Sequence, residues 1–103
     1  MPDDEQTSVL IERYLENPRD PAAAVVMAKQ PEVTGRYLDA FISSGRITEL
    51  DVRSRVHILA LIGIACRQME QNLLKNWASM ESDANLKLVL QKKLRILGAT
   101  PEG

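Results

Sequence analysis

Apolar positions along the chain recur at the three-to-four spacing of helices and nowhere alternate in twos, so every element the pattern predicts is a helix. The first covers roughly residues 7–16, with Leu10, Ile11, Tyr14 and Leu15 on one face, and Asn17-Pro18 stops it because a residue before proline avoids helical backbone. Asp20 and Pro21 read as N-cap and first-turn proline of a second, alanine-rich helix reaching about Lys29. Pro31 restarts the pattern to about Ser44, where Val33, Tyr37, Leu38, Phe41 and Ile42 form the stripe to be buried. Gly45 stands where a left-handed C-terminal cap is expected. Three short helices with tight joints predict a helix-turn-helix-like headpiece over residues 1–46.

A second unit is predicted over residues 47–103. In "GRITELDV", Thr48 reads as an N-cap with Asp51 three residues on, and Ile47 and Val52 occupy the two positions of a hydrophobic staple. From Thr48 no proline interrupts the pattern until about Met80. Val52, Leu59, Cys66, Leu73 and Met80 recur every seven residues, with Val56, Ile62, Met69 and Trp77 thickening the seam. Gly63 in mid-helix costs about 1 kcal/mol against alanine, which points to a close approach by another helix. Ser82-Asp83 caps a last helix over 83–97, lined by Leu86, Leu90, Leu94 and Leu97 and ended by Gly98. The expected fold is all-α: a short headpiece followed by a long antiparallel helical hairpin.

Within the long helix, "ILALIGIAC" (Ile58 to Cys66) has no polar side chain and therefore no face suited to water. A two-helix hairpin covers one side of it and the headpiece another. An apolar surface left over usually marks an interface. The reading is self-association built on Val52, Leu59, Ile62, Cys66 and Leu73. Its rival is a monomeric five-helix domain that wraps the segment completely.

Length sharpens this choice, because a chain of 103 residues buries a modest share of its surface alone, and four aromatics are few for its core. The apolar run is too short to span a bilayer, which needs about 20 residues. The acidic start Met1-Pro2-Asp3-Asp4-Glu5 is unlike a secretory signal. A soluble protein of the cytoplasm is expected. Net charge is −1, divided as −3 over residues 1–46 and +2 over 47–103. Cys66 is the single cysteine and His57 the single histidine, so no histidine-paired nucleophile with an orienting third group is in view. No Cys-x-x-Cys, glycine-rich phosphate loop or His-x-x-x-His spacing occurs. Neither catalytic residues nor a metal or cofactor is expected. The helix "LDVRSRVHILALIGIAC" and the tail "LGATPEG" are similar to carboxymuconolactone-decarboxylase-like proteins, whose redox members use paired cysteines, against one here.

Two motifs frame the predicted hairpin: "GRITELD" (Gly45 to Asp51) opens it and "LRILGATPEG" (Leu94 to Gly103) closes it. Together they resemble one group of small subunits of tailed-phage terminases. Gly45, Ile47, Thr48, Leu50 and Asp51 match that family's helix start, and Leu97, Gly98, Thr100 and Pro101 its helix exit. The headpiece "IERYLENPRDPAAAVVMAK" resembles the start of terminase DNA-binding domains, while Asp83-Ala84-Asn85 departs from the family's Asn-Pro before the last helix. The resemblance implies a ring-forming, non-enzymatic packaging factor in the cytoplasm of a bacterial host. It would bind double-stranded DNA and present it to a large subunit carrying ATPase and nuclease activity. Candidate DNA contacts are Thr34 and Arg36 on the third helix, Lys29, Gln30 and Arg46 near it, and Lys87, Lys92, Lys93 and Arg95 on the last helix. Because phosphate contacts need clustered cations and the headpiece is net acidic, binding should be weak and phosphate-directed. The alternative function is a small helical adaptor or inhibitor, turning the same apolar helix on a foreign protein.

Overall fold

A computed structural model describes residues 2–19 and 21–98, which form six α-helices and one 3₁₀ turn, with no strand among them. The order is α1 (Pro2–Glu16), α2 (Pro21–Ala28), α3 (Pro31–Ser43), the 3₁₀ turn (Arg46–Glu49), α4 (Val52–Ala65), α5 (Glu70–Ala78) and α6 (Ala84–Ile96). The fold is all-α, as the periodicity predicts. The N-cap role expected for Asp20 and the exit motif at Thr100 and Pro101 fall outside the described residues.

The first three helices follow the sequence, except that α1 begins at Pro2, about five residues before the expected start. Ile11, Tyr14 and Leu15 of α1 and Leu38, Phe41 and Ile42 of α3 are buried, with Leu10, Val33 and Tyr37 packed at their edges. Gly45 takes the left-handed conformation at φ 83° and ends α3 by donating its N–H to the Ile42 carbonyl at 2.9 Å. These helices do not stand apart as a headpiece. α2 packs on α4 and α3 packs on both α4 and α5, and one buried cluster runs from Ile11 to Leu94. The boundary drawn at residues 46 and 47 passes through that shared core.

The long helix is where the structure corrects the sequence. It starts later than expected. Thr48 does not cap it; its hydroxyl donates to the Gly45 carbonyl within the 3₁₀ turn, Leu50 is extended, and Asp51 is the cap, accepting from the Ser54 N–H at 2.9 Å. The Ile47–Val52 staple is absent too, since Ile47 is fully buried and Val52 is exposed. The helix also breaks. Cys66 leaves helical backbone at φ −126°, ψ 45°, Met69 N–H closes a turn on the Cys66 carbonyl at 3.0 Å, and α5 begins at Glu70. No proline or glycine stands between Ala65 and Glu70. The reason is tertiary: a straight continuation would carry Leu73, Leu74 and Trp77 away from the core, whereas the bend returns them to α3 and α6, where they are fully buried. The long hairpin is therefore replaced by three shorter helices.

One polar cluster fixes how those helices meet. The Arg55 guanidinium donates to the Glu81 carboxylate at 2.6 Å, to the Leu50 carbonyl at 2.9 Å and to the Thr48 carbonyl at 3.0 Å. Glu81 also accepts from the Trp77 indole N–H at 2.8 Å and from the Asp83 N–H at 2.9 Å. The side chains are 10 % and 0 % exposed respectively. A buried ion pair is tolerated only when its remaining donors and acceptors are filled, and here they are. Asp83 then caps α6 by accepting from the Leu86 N–H at 2.9 Å.

Removing one member of this pair leaves the other charge buried and alone. Arg55→Met should lower unfolding free energy by about 3–5 kcal/mol, measured by urea denaturation. The double variant Arg55→Met, Glu81→Leu should lose less than the two single variants together.

Candidate interaction surfaces

The helix α4 answers for its own apolar segment over more than half its circumference. Ile58, Leu59, Leu61, Ile62, Ala65 and Cys66 are buried against the rest of the chain. The face left in water is still apolar. At four-residue spacing it presents Val52 (42 % exposed), Val56 (48 %), Ala60 and Ile64 (71 %), with Arg53 and His57 along one flank. An outward helix face normally carries charged residues, so this strip is the first candidate surface. Gly63 borders it, but not to admit a neighbouring helix. A Cβ there would lie 3.3 Å from Glu70 Oε2 and 3.6 Å from Lys93 Nζ, so the glycine leaves room for that ion pair.

Of the five residues expected to form a contact between copies, the structure places Leu59, Ile62, Cys66 and Leu73 inside the chain's own core. They hold the fold, and Val52 alone of the five is available to a partner. The expected seam treats them as one outward stripe of a straight helix, whereas Leu59 and Ile62 lie on the face of α4 that packs on the chain's own core and Leu73 is carried into that core beyond the bend. Ala60 and Ile64 were missed for the same reason. Their signal was present, since "ILALIGIAC" offers no polar residue for whichever side faces out.

Beside Ile64 a groove of about 400 Å³ runs between the α2–α3 corner and the α4–α5 bend, lined among others by Ala28, Pro31, Glu32, Arg67 and Met69. Cys66 lies beneath it. Burial pushes its thiol up from 9.0 to about 11, so it is protonated at neutral pH and a poor nucleophile. His57 is an exposed residue of α4.

The expected DNA contacts divide into two groups. Near α3, Lys29 and Arg36 are exposed and Gln30 is half-buried. Thr34 is not at the surface. It is fully buried and its hydroxyl donates to the Met27 carbonyl at 3.0 Å, tying α3 to α2, which removes it as a DNA contact. Helical spacing puts Glu32 and Asp39 on the same face as Arg36, and Arg46 stacks over the Phe41 ring at 5.1 Å at the other end of the helix. These cations do not converge.

α6 is different. Its thirteen residues include no aspartate or glutamate, and Lys87, Lys92 and Arg95 are exposed beside Leu88, Val89 and Ile96. Lys93 is half-buried and sits 3.9 Å from Glu70, so it belongs partly to the fold. Among the described residues no three His, Cys, Asp or Glu side chains come together in a way that would hold a metal ion, and no helix is long and apolar enough to cross a membrane. Comparison with known proteins finds no family model, no curated protein and no solved structure that matches the chain.

Because Ile62 is a core residue, Ile62→Asp should unfold the chain outright, seen as loss of helical circular dichroism, and not release folded subunits. Cys66 predicts an alkaline limit. A folded thiol pKa above the unfolded value favours the protonated native state, so stability is complete below pH 9 and declines as the pH climbs toward about 11. Cys66→Ala should flatten that decline in thermal melts between pH 8 and 11.

Proposed function

We propose that the chain is a non-enzymatic DNA-packaging factor of the kind its end motifs resemble. It would act as a homo-oligomer in a bacterial host, hold viral duplex DNA by its phosphates and deliver it to a large terminase subunit. The observation that carries the DNA half of this reading is α6, whose exposed Lys87, Lys92 and Arg95 face no acidic residue on their own helix. Three cations per subunit bind phosphate weakly, and several subunits joined together multiply the contact. Arg36, flanked by Glu32 and Asp39, contributes less to this attraction.

A second reading has its own support in the exposed strip of α4, which is apolar on a chain that already owns a closed core. In that reading the chain is a small adaptor or inhibitor, and the strip meets a foreign protein.

Titration of duplex DNA at several salt concentrations separates the two. Replacing Lys87, Lys92 and Arg95 together by glutamine should reduce the slope of log affinity against log salt by about 2–3, while Arg36→Gln changes it by less than about 1. Wild-type protein that shows no DNA binding at low salt leaves the adaptor reading in its place.

A further inference from the structure

We infer that Met69 is an oxidation-sensitive latch on the bend between α4 and α5: a peroxide entering the adjoining groove converts its thioether to the sulfoxide and loosens the joint of α5 with α3. That joint is built around the sulfur. Gly35 of α3 is buried, and a Cβ there would collide with Met69 Sδ and come within 3.3 Å of its Cε. The sulfur fills the space that any other residue at position 35 would claim. A thioether suits the slot because it is apolar, flexible and polarisable.

Position makes this methionine the sensitive one. Met69 is half-buried and lines the groove of about 400 Å³ beside Ile64, which gives a small polar oxidant its approach. Met27, by contrast, is fully buried. Met69 also stands at the entry to α5. Its N–H closes the turn on the Cys66 carbonyl at 3.0 Å, and its carbonyl accepts from the Leu73 N–H at 2.9 Å. Since no proline or glycine marks the bend, contacts like the one with Gly35 hold it in place. Cys66 beneath the same groove competes poorly for peroxide, because its thiol stays protonated at neutral pH.

In the reaction the sulfur lone pair attacks one peroxide oxygen, the O–O bond breaks and water leaves. Sulfur is oxidised as the peroxide is reduced. The product is larger by an oxygen and polar, and against Gly35 it finds no room. Turned toward water in the groove, it leaves the slot empty. Either way α5 loses packing on α3. The latch does not rest on the packaging role.

Treating the folded full chain with hydrogen peroxide tests it, with peptide mass spectrometry locating each added oxygen. Met69 sulfoxide should form before that of Met27. The oxidised protein should melt at a lower temperature, its unfolding constant raised about tenfold. Amide hydrogen exchange should speed up more over residues 66–73 than over residues 11–15. Reduction by a methionine sulfoxide reductase with dithiothreitol should restore both. Met69→Leu, shown to be folded by circular dichroism, should lose the response to peroxide, and Met80→Leu should keep it. Met69 that stays reduced while Met27 oxidises overturns the inference. So does Met69 sulfoxide that leaves melting and exchange unchanged, or a folded Met69→Leu variant that peroxide destabilises as much as wild type.

Discussion

The Glu81 carboxylate is the constraint on which the C-terminal half depends. It is wholly removed from water, yet three groups donate to it: the Arg55 guanidinium, the Trp77 indole and the Asp83 N–H. Those donors come from the start of α4, the end of α5 and the entry to α6. Through Arg55 the link extends to the Thr48 and Leu50 carbonyls of the 3₁₀ turn and its exit. Two stretches far apart in sequence, Thr48 to Arg55 and Trp77 to Asp83, thus share one junction. An uncompensated charge there would cost several kcal/mol against a total stability of about 5–15 kcal/mol for a domain, so these segments must assemble together or not at all.

The junction explains what could be read from the sequence and what could not. Proline and glycine positions marked α2, α3 and their ends correctly, because Pro31 and Gly45 act through local backbone geometry. Asp83 was readable for a similar reason, since its side chain reaches only three residues ahead. Thr48 misled because it has the right residue type for a cap, while Arg55, seven residues on, claims its carbonyl. The bend at Cys66 to Met69 had no local mark. Leu73 and Trp77 keep helical spacing on either reading, and only burial against α3 and α6 decides between them. Arg55 and Glu81 are separated by 26 residues, and no local pattern marks them as a pair.

For function, the consequence is a change of surface. Leu59, Ile62, Cys66 and Leu73 lead inward, and Thr34 closes the α2–α3 joint. What the molecule offers outward is the α4 strip and the cationic face of α6. The first is apolar and short, and the second is charged and uncompensated. They lie on different helices, so a substitution on one can be read without disturbing the other. The sequence held both, in the missing polar face of "ILALIGIAC" and in the missing acids of "ANLKLVLQKKLRI", yet the registers of exposure needed the three-dimensional packing.

The bend between α4 and α5 has a further consequence for autonomy. Its four residues, Cys66 to Met69, include no helix breaker, and residues on both sides favour helix. The local chain therefore prefers to be straight, and the turn is imposed by partners elsewhere in the molecule. A peptide cut from Val52 to Ala78 would carry every atom of the bend and none of its cause. It would extend as one continuous rod, with its core residues spread along a side that, in the whole protein, does not exist.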